Sequence, residues 1–405
     1  MFEYLKKFRE NFPNRKFYQL IDKIYNIDNL EDAWNKVKVN QGCAGIDKQS
    51  ISDFQPRRDL HFKELQRAIK SGAYRATPVL RKYIPKKDGK LRPLGIPTVK
   101  DRVLQQATKN VIEQIFEMKF MDCSYGFRPD KNAHQAIDQI RNYLQQGFTW
   151  IIDADIKSFF DSVDHSLLMS LVAEEISDGK VLWLIDGWLK AGVIAEGNIE
   201  ETNKGTPQGG VISPLLANVY LHEMDKTITK WVNVRLVRYA DDFVIMCKTG
   251  WMAKKTMERL RKLLGELKLQ LSETKTQIVN SEEKEFEFLG FKFRIRRGKI
   301  RITPRGKSIE KFKDSVRQLT RKHQPIKPEQ MIGRLNWTVR GWGNYFKIGD
   351  VKTLYKELDI WLRMRVRCFI EKKKSGYSCQ RIPNYVLFSE YKLASLVTLI
   401  DTPSL

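Results

Sequence analysis

The sequence predicts an α+β protein. Three observations carry this reading. Segments with helical periodicity fill roughly the first 75 residues and return from Ser308 onward. Between them, short β-prone apolar runs alternate with helical stretches. Two of those runs, FTWIIDADIKSFFDSV and VRLVRYADDFVIMCKT, place carboxylates at the end or in the middle of a hydrophobic strand.

Each element has its own signal. LEDAWNKVKV and FKELQRAIKSG have 3.6-type spacing with charged faces, and NQGCAGIDKQS between them is a loop. Residues 79–97 form a β-hairpin pattern: VLRKYIP and KLRPLGIP flank KKDGK, whose Asp88-Gly89 pair is a strong turn signal. KDRVLQQATKNVIEQIFEMKF is an amphipathic helix, SYGFRPDKN a loop, and AHQAIDQIRNYLQQG a further helix. FTWIIDADIKSFFDSV begins as a buried strand and ends in a turn, and helices follow to about Ala191. The Gly/Pro-rich NKGTPQGGVISPLL feeds another helix. VRLVRYADDFVIMCKT reads as strand-turn-strand, WMAKKTMERLRKLLGELKLQ as helix, and FEFLGFKFRIRRGKIRITP as strands. No internal repeat or low-complexity linker interrupts the pattern.

The chain has 405 residues, 42% hydrophobic and 30% charged, enough for two or three domains with substantial cores. No apolar run approaches the length of a membrane span. The start, MFEYLKKFREN, lacks a signal-peptide core, so an intracellular protein is expected. Cys43, Cys123, Cys247, Cys368 and Cys379 form no CxxC pair, which fits a reducing compartment and argues against a zinc module. The net charge of +24 is the unusual feature. Residues 291–375 hold 25 Lys/Arg against 7 Asp/Glu, three quarters of the excess in a fifth of the chain. Trp337, Trp342, Tyr345, Phe346 and Trp361 are interleaved with them, a composition suited to a nucleic-acid surface.

Asp241 and Asp242 pose the chemical question. Phe243 to Cys247 is continuously apolar, so the strand is expected to be buried on both faces. Like charges beside such a strand repel and are costly to desolvate, and a divalent cation would resolve the conflict. Mg2+ favours one or two carboxylates together with substrate phosphates. A partner acid comes from TWIIDADI, where Asp155 ends a buried strand. Asp153, two residues earlier, shares its face, and spacing alone does not choose between them. Two strands delivering acids to one sheet end describe a two-metal phosphoryl-transfer site.

The order of motifs is KKDGKLRPLGIPTVKDRVLQQA, SYGFRPDKNAH, DADIKSFFDSVDH, KGTPQGGVISPLLANVYL, RYADDF, LSETKT and FLGFKF. In this order they resemble the reverse transcriptases encoded by bacterial group II introns, over roughly residues 30–293. LNWTVRGWGNYF resembles the thumb or maturase domain of the same proteins and extends the likeness to about 375. The resemblance implies a right-hand polymerase: α-helical fingers, an antiparallel-sheet palm and a basic helical thumb. The implied domains are fingers and palm over 1–290, thumb/maturase over 291–375, and a short tail over 376–405.

The resemblance also implies roles. Asp155 and Asp241 match the metal ligands, Asp242 the third essential acid, and Ile156 is placed with both nucleotide and metal. Lys86 and Arg92 match residues that hold the incoming triphosphate. Phe159 matches the bulky residue under the nucleotide sugar, with Phe160 as its core neighbour; an aromatic ring there would clash with a 2′-hydroxyl. Gly205, Thr206, Pro207, Gln208 and Gly209 match the loop at the templating base pair, Gln208 being near the nucleotide. Lys275 matches a lysine that protonates pyrophosphate, and Phe288, Leu289 and Gly290 the segment gripping the primer end. Arg363 and Arg367, sharing a helix face, are expected on the template-primer duplex, with Arg365 pointing elsewhere.

The expected function is RNA-templated DNA synthesis from dNTPs on a primer 3′-hydroxyl. It would use two Mg2+ ions, with Mn2+ as a substitute, and the protein would also bind group II intron RNA as a splicing maturase. A bacterial cytoplasmic location and no membrane partner are expected. The tail from Gly376 has one Cys and no His, so the zinc-bound nuclease of larger relatives is not expected. Two other readings stay open: an RNA-binding splicing cofactor with secondary polymerase activity, and a domesticated relative in defence or repair.

Overall fold

The computed structural model describes residues 2–401 apart from 14, 86–90, 196–197, 201–202, 207–208, 322–323 and 373–381. The strands, in chain order, are β1 (Val79–Pro85), β2 (Leu91–Ile96), β3 (Trp150–Asp155), β4 (Val193–Ala195), β5 (Asn198–Glu200) and β6 (Val234–Tyr239). They continue with β7 (Asp242–Cys247), β8 (Gln277–Asn280), β9 (Phe286–Phe288), β10 (Phe291–Arg296) and β11 (Lys299–Pro304). They form three sheets, ordered β2-β1-β4-β5, β6-β7-β3-β8 and β11-β10-β9. The remaining elements are helices, and the α+β class expected from the sequence holds.

The chain divides into two compact units. The first comprises residues 1–132, 154–245 and 251–277. Its helices differ in how much of their surface they bury. Helix Ile27–Asn40, capped by the Asn26 side chain on Asp28 N, buries Leu30, Ala33, Trp34 and Val37. Helix Val99–Glu117 is buried along most of its length and starts at Thr98, whose hydroxyl accepts from Asp101 N. The β1–β2 hairpin is antiparallel with Leu80 opposite Ile96, and β1 pairs in parallel with β4, so this sheet is mixed. The Asp88-Gly89 tip expected for the hairpin lies outside the described residues. Helix Ser213–Thr229, with Pro214 in its first turn, packs on β6.

Strand β7 is buried from Phe243 through Cys247. Only two residues, Ala240 and Asp241, join it to β6, as in a tight antiparallel hairpin. Ala240 adopts φ +58, a left-handed conformation that a two-residue hairpin turn requires.

The second unit comprises residues 133–153, 246–250 and 278–405. The β9-β10-β11 meander packs Phe286 against Phe293 with rings stacked at 4.9 Å. Helices Gly306–Leu319, Pro328–Phe346 and Lys352–Ile370 follow, with Trp342 stacked on Phe312 at 4.6 Å. The later segment is held by Asp359, which accepts hydrogen bonds from Ser395, Leu396 and Val397.

Candidate active site

The site is built where β3 ends and the β6–β7 turn begins. Asp155 is the last residue of β3, half-buried, and its carbonyl accepts from Ser272 N at 2.8 Å. Ile156 and Lys157 continue the attachment: Ile156 bridges to Leu271, and Lys157 N donates to Gln270 O at 2.9 Å. Ile156 itself is buried, so only its backbone can face a ligand. Asp241 sits in the turn, half-buried, and Asp242 opens β7 as an exposed residue.

The electrostatics tie the acids together. Burial raises the Asp241 carboxyl above its ordinary value, and the charge of Asp155 adds to the rise, while Arg92 and Arg238 oppose it. Asp155 is thus one of the charges that act on Asp241. Lys275 Nζ lies 2.9 Å from Asp155 Oδ2, so the chain itself supplies a cation to this carboxylate. No cluster of three or more His, Cys, Asp or Glu side chains suited to a metal occurs among the described residues. The donor set is two neighbouring carboxylates, oxygen only. It fits a hard divalent cation that takes its remaining ligands from phosphates and water.

Arg92 lies exposed on β2 with its charge felt at Asp241. Lys86 lies outside the described residues, as do Pro207 and Gln208. The rest of the GTPQGG loop is fixed by close approach. Thr206 N donates to Phe160 O at 2.7 Å, Gly205 N to Val163 O at 2.8 Å, and His165 Nε2 meets Gly205 O at 2.6 Å. Gly205 (φ +89) and Gly209 (φ +122) are glycines of necessity: a Cβ would fall 2.8 Å from Phe160 O and 2.5 Å from Gly95 O, respectively.

A cleft of about 370 Å³ in the first unit is lined by Arg81, Tyr83, Gly95, Phe160, Lys204 and Thr206, among others. Here the structure differs from expectation. Phe159 is 2% exposed, packed against Phe160 and Tyr220, and does not line the cleft. Phe160 is half-buried and does. The short helix Phe159–Ser162 turns adjacent side chains to different sides, so Phe159, expected under the sugar, is the core residue, and Phe160, expected in the core, borders the cleft.

In the second unit, Phe288 is buried, and Leu289 (φ +48) and Gly290 (φ +82) form a half-buried turn after it. Tyr345 donates to Leu289 O, and Ser308 Oγ and Arg305 N to Gly290 O. Arg363 borders a cleft of about 870 Å³ with Arg340, Lys356 and Lys392. Arg367 differs from expectation: its guanidinium donates to Ile382 O and Asn384 Oδ1, so it holds the C-terminal segment. Arg365 donates to Thr320 Oγ1 and O.

Sequence reasoning missed Arg238, Asp225 and Asn218. Arg238 and Asp225 form an ion pair with both side chains at 0% exposure, and Arg238 Nη1 donates to Ala240 O at 2.9 Å. The available signal was an arginine within the apolar run VRLVRY, which cannot be buried without a partner.

Comparison with known proteins identifies the family. Residues 84–293 match the reverse transcriptase (RNA-dependent DNA polymerase) family, and residues 309–382 the group II intron, maturase-specific domain. The chain is 37% identical to the protein YkfC of Escherichia coli over 72% of its own length and 87% of that protein. It is 32% identical to the group II intron-encoded protein LtrA of Lactococcus lactis subsp. cremoris, covering 76% of itself and 63% of LtrA. An uncharacterized 91 kDa protein in the cob intron of Schizosaccharomyces pombe is 28% identical over 84% of the chain and 52% of its own length. The chain thus spans less than two thirds of the last two relatives. With both family models matched in this order and YkfC and LtrA beside them, the chain belongs to the bacterial group II intron reverse transcriptases, an RNA-dependent DNA polymerase domain followed by a maturase-specific domain.

Proposed function

We propose that the chain extends a DNA primer on an RNA template with dNTPs as substrates, Asp155 and Asp241 holding two Mg2+ ions and Asp242 supporting them. The observation that carries this is the coupling of Asp155 to Asp241 across two strand ends, with Lys275 on one acid and the charge of Arg92 on the other. A bound divalent cation would supply charge for the triphosphate and lower the cost of deprotonating the primer hydroxyl.

The chain's own residues do the rest. Asp155 is oriented by the backbone bond from Ser272, and Asp241 by the left-handed residue before it. Arg92, on β2, presents a guanidinium suited to the triphosphate. Lys275 is within hydrogen-bond reach of Asp155 and carries a proton where pyrophosphate would leave. Phe160, which lines the cleft, would exclude a 2′-hydroxyl, with Phe159 packed against it. The basic second unit supplies phosphate contacts to the duplex and to group II intron RNA.

Replacing Asp241 or Asp155 by Asn tests the site. Metal-assisted charge stabilisation is worth several kcal/mol, so single-nucleotide extension should fall by about 10³ or more. RNA affinity by filter binding should stay within about twofold, because the amide keeps the shape and most affinity comes from phosphate contacts elsewhere. Wild-type extension rates in either variant would remove these residues from the site.

A further inference from the structure

Asp225 and Arg238 make the most deeply buried ion pair described in the first unit, Nη2 to Oδ2 at 2.5 Å and Nε to Oδ1 at 2.8 Å. Stability does not account for it. Desolvating two charges costs as much as their attraction returns, and well-packed apolar residues in their place are often neutral or stabilising. What the pair does is geometric. The bidentate carboxylate fixes the guanidinium plane, and the remaining nitrogen, Nη1, donates to Asn218 Oδ1 at 2.8 Å and to Ala240 O at 2.9 Å. Ala240 O belongs to the peptide bond that leads into Asp241.

The other side of the same turn is also closed. Gly126 packs so tightly there that a Cβ on it would lie 2.3 Å from Ala240 N. The Gly126 carbonyl accepts from Asn218 Nδ2 at 2.9 Å, which completes a ring: Arg238, Asn218, Gly126, Ala240 and back to Arg238. The loop bearing Gly126 is fixed to β6 by two backbone bonds, Tyr125 N to Arg238 O and Arg238 N to Cys123 O, each 2.8 Å. Arg128 locks that loop from behind, donating to Met121 O and Ser124 O while chelating Glu117. The SYGFRPD segment has no other evident use at the site: Phe127 is half-exposed, but the glycine and the arginine on either side of it serve this clamp.

We propose that Arg238, oriented by Asp225 and Asn218, is a positioning residue that clamps the Ala240–Asp241 peptide against Gly126 and so sets the direction of the Asp241 carboxylate. The inference rests on Asp241 being a metal ligand. Residues that orient a ligand typically change metal affinity or activity by about 10–100-fold when removed.

Arg238→Lys keeps the buried charge for Asp225 but cannot span Asp225, Asn218 and Ala240 O together. Asn218→Ala leaves the ion pair intact and cuts the strut to Gly126. Both are purified, their melting checked, and three quantities measured: kcat and KM for dNTP on a primed RNA template, and Mn2+ binding to metal-free enzyme by electron paramagnetic resonance. For Arg238→Lys, kcat should fall and the Mn2+ Kd rise by about tenfold each, with the KM for dNTP within about twofold. Asn218→Ala should shift the same two quantities in the same direction by about threefold. A variant that folds but keeps wild-type kcat and Mn2+ affinity overturns the clamp, as does a lowered melting temperature with both unchanged. Should Arg238→Lys fail to fold, Asn218→Ala decides alone by the same two readouts. Asp241→Asn separates the premises. If it retains Mn2+ binding, the ligand assignment fails; if it loses binding while both other variants are wild type, only the clamp fails.

Discussion

Asp241 shows how a single residue carries the conflict between stability and chemistry. Its carboxyl is raised above the ordinary carboxylate range chiefly by burial, so the folded state holds the proton more tightly than the unfolded chain. The penalty for its charge is therefore present above the raised pKa and is relieved as pH falls through it. Asp241→Asn should raise the melting temperature of metal-free protein at pH 7 while abolishing extension. The gain should shrink as the pH is lowered toward the ordinary carboxylate range, which thermal melts in chelator at a series of pH values would follow. Phe159 and Phe160 separate in the same way by one residue. Phe159→Ala, emptying a core position, should cost about 3–5 kcal/mol in denaturant unfolding. Phe160→Ala should cost little stability and raise ribonucleotide incorporation relative to deoxynucleotide. If discrimination follows Phe159 instead, Phe160 is not the residue at the sugar.

At the scale of elements, the site depends on loops seated by backbone contact. The GTPQGG loop touches the chain after β3 through Phe160 O and touches β2 through Gly95 O, so it links the hairpin carrying Arg92 to the strand carrying Asp155. Gly205→Ala and Gly209→Ala each meet a carbonyl and require positive φ, strain of about 1–3 kcal/mol per site. Extension should drop in both variants with an intact global fold by circular dichroism, whereas Gly147→Ala, where a Cβ meets nothing within 4 Å, should lose only stability to its φ of +82. Helix Lys352–Ile370 offers a second case. Arg365 binds Thr320 and Arg367 binds the C-terminal segment, so their replacement by Gln should weaken docking before it weakens nucleic-acid binding.

For the molecule as a whole, charge is concentrated rather than spread. Residues 291–375 carry most of the +24, and Arg363, Arg340, Lys356 and Lys392 line one cleft in the second unit. Binding of a template-primer duplex should weaken steeply with salt, each neutralised phosphate contributing a log–log slope of about −0.9 in B-DNA. Arg363→Gln should flatten the slope by about one contact and weaken all sequences alike. A loss confined to one structured RNA would instead place Arg363 on the intron RNA. No helix of the described residues is long and apolar enough to cross a membrane.

The sequence alone determined the class, the order of elements and the presence of acids within apolar strands. Those signals are local: periodicity marks a helix, alternation a strand, and Asp-Asp inside an apolar run marks a conflict that something must resolve. It also located the basic region, because composition survives folding unchanged. Tertiary structure decided what side chains face. Adjacent phenylalanines in one short turn carry the same pattern, yet one is core and one lines the cleft. Three arginines at alternate positions look alike, yet two are committed to Thr320 and to the C-terminal segment. The bond from Arg238, on β6, to the peptide before Asp241 depends on Asp225 and Asn218 arriving from helix Ser213–Thr229. Such contacts join residues far apart in the chain, and no local spacing encodes which donor meets which acceptor until the core closes and every buried polar group must find a partner.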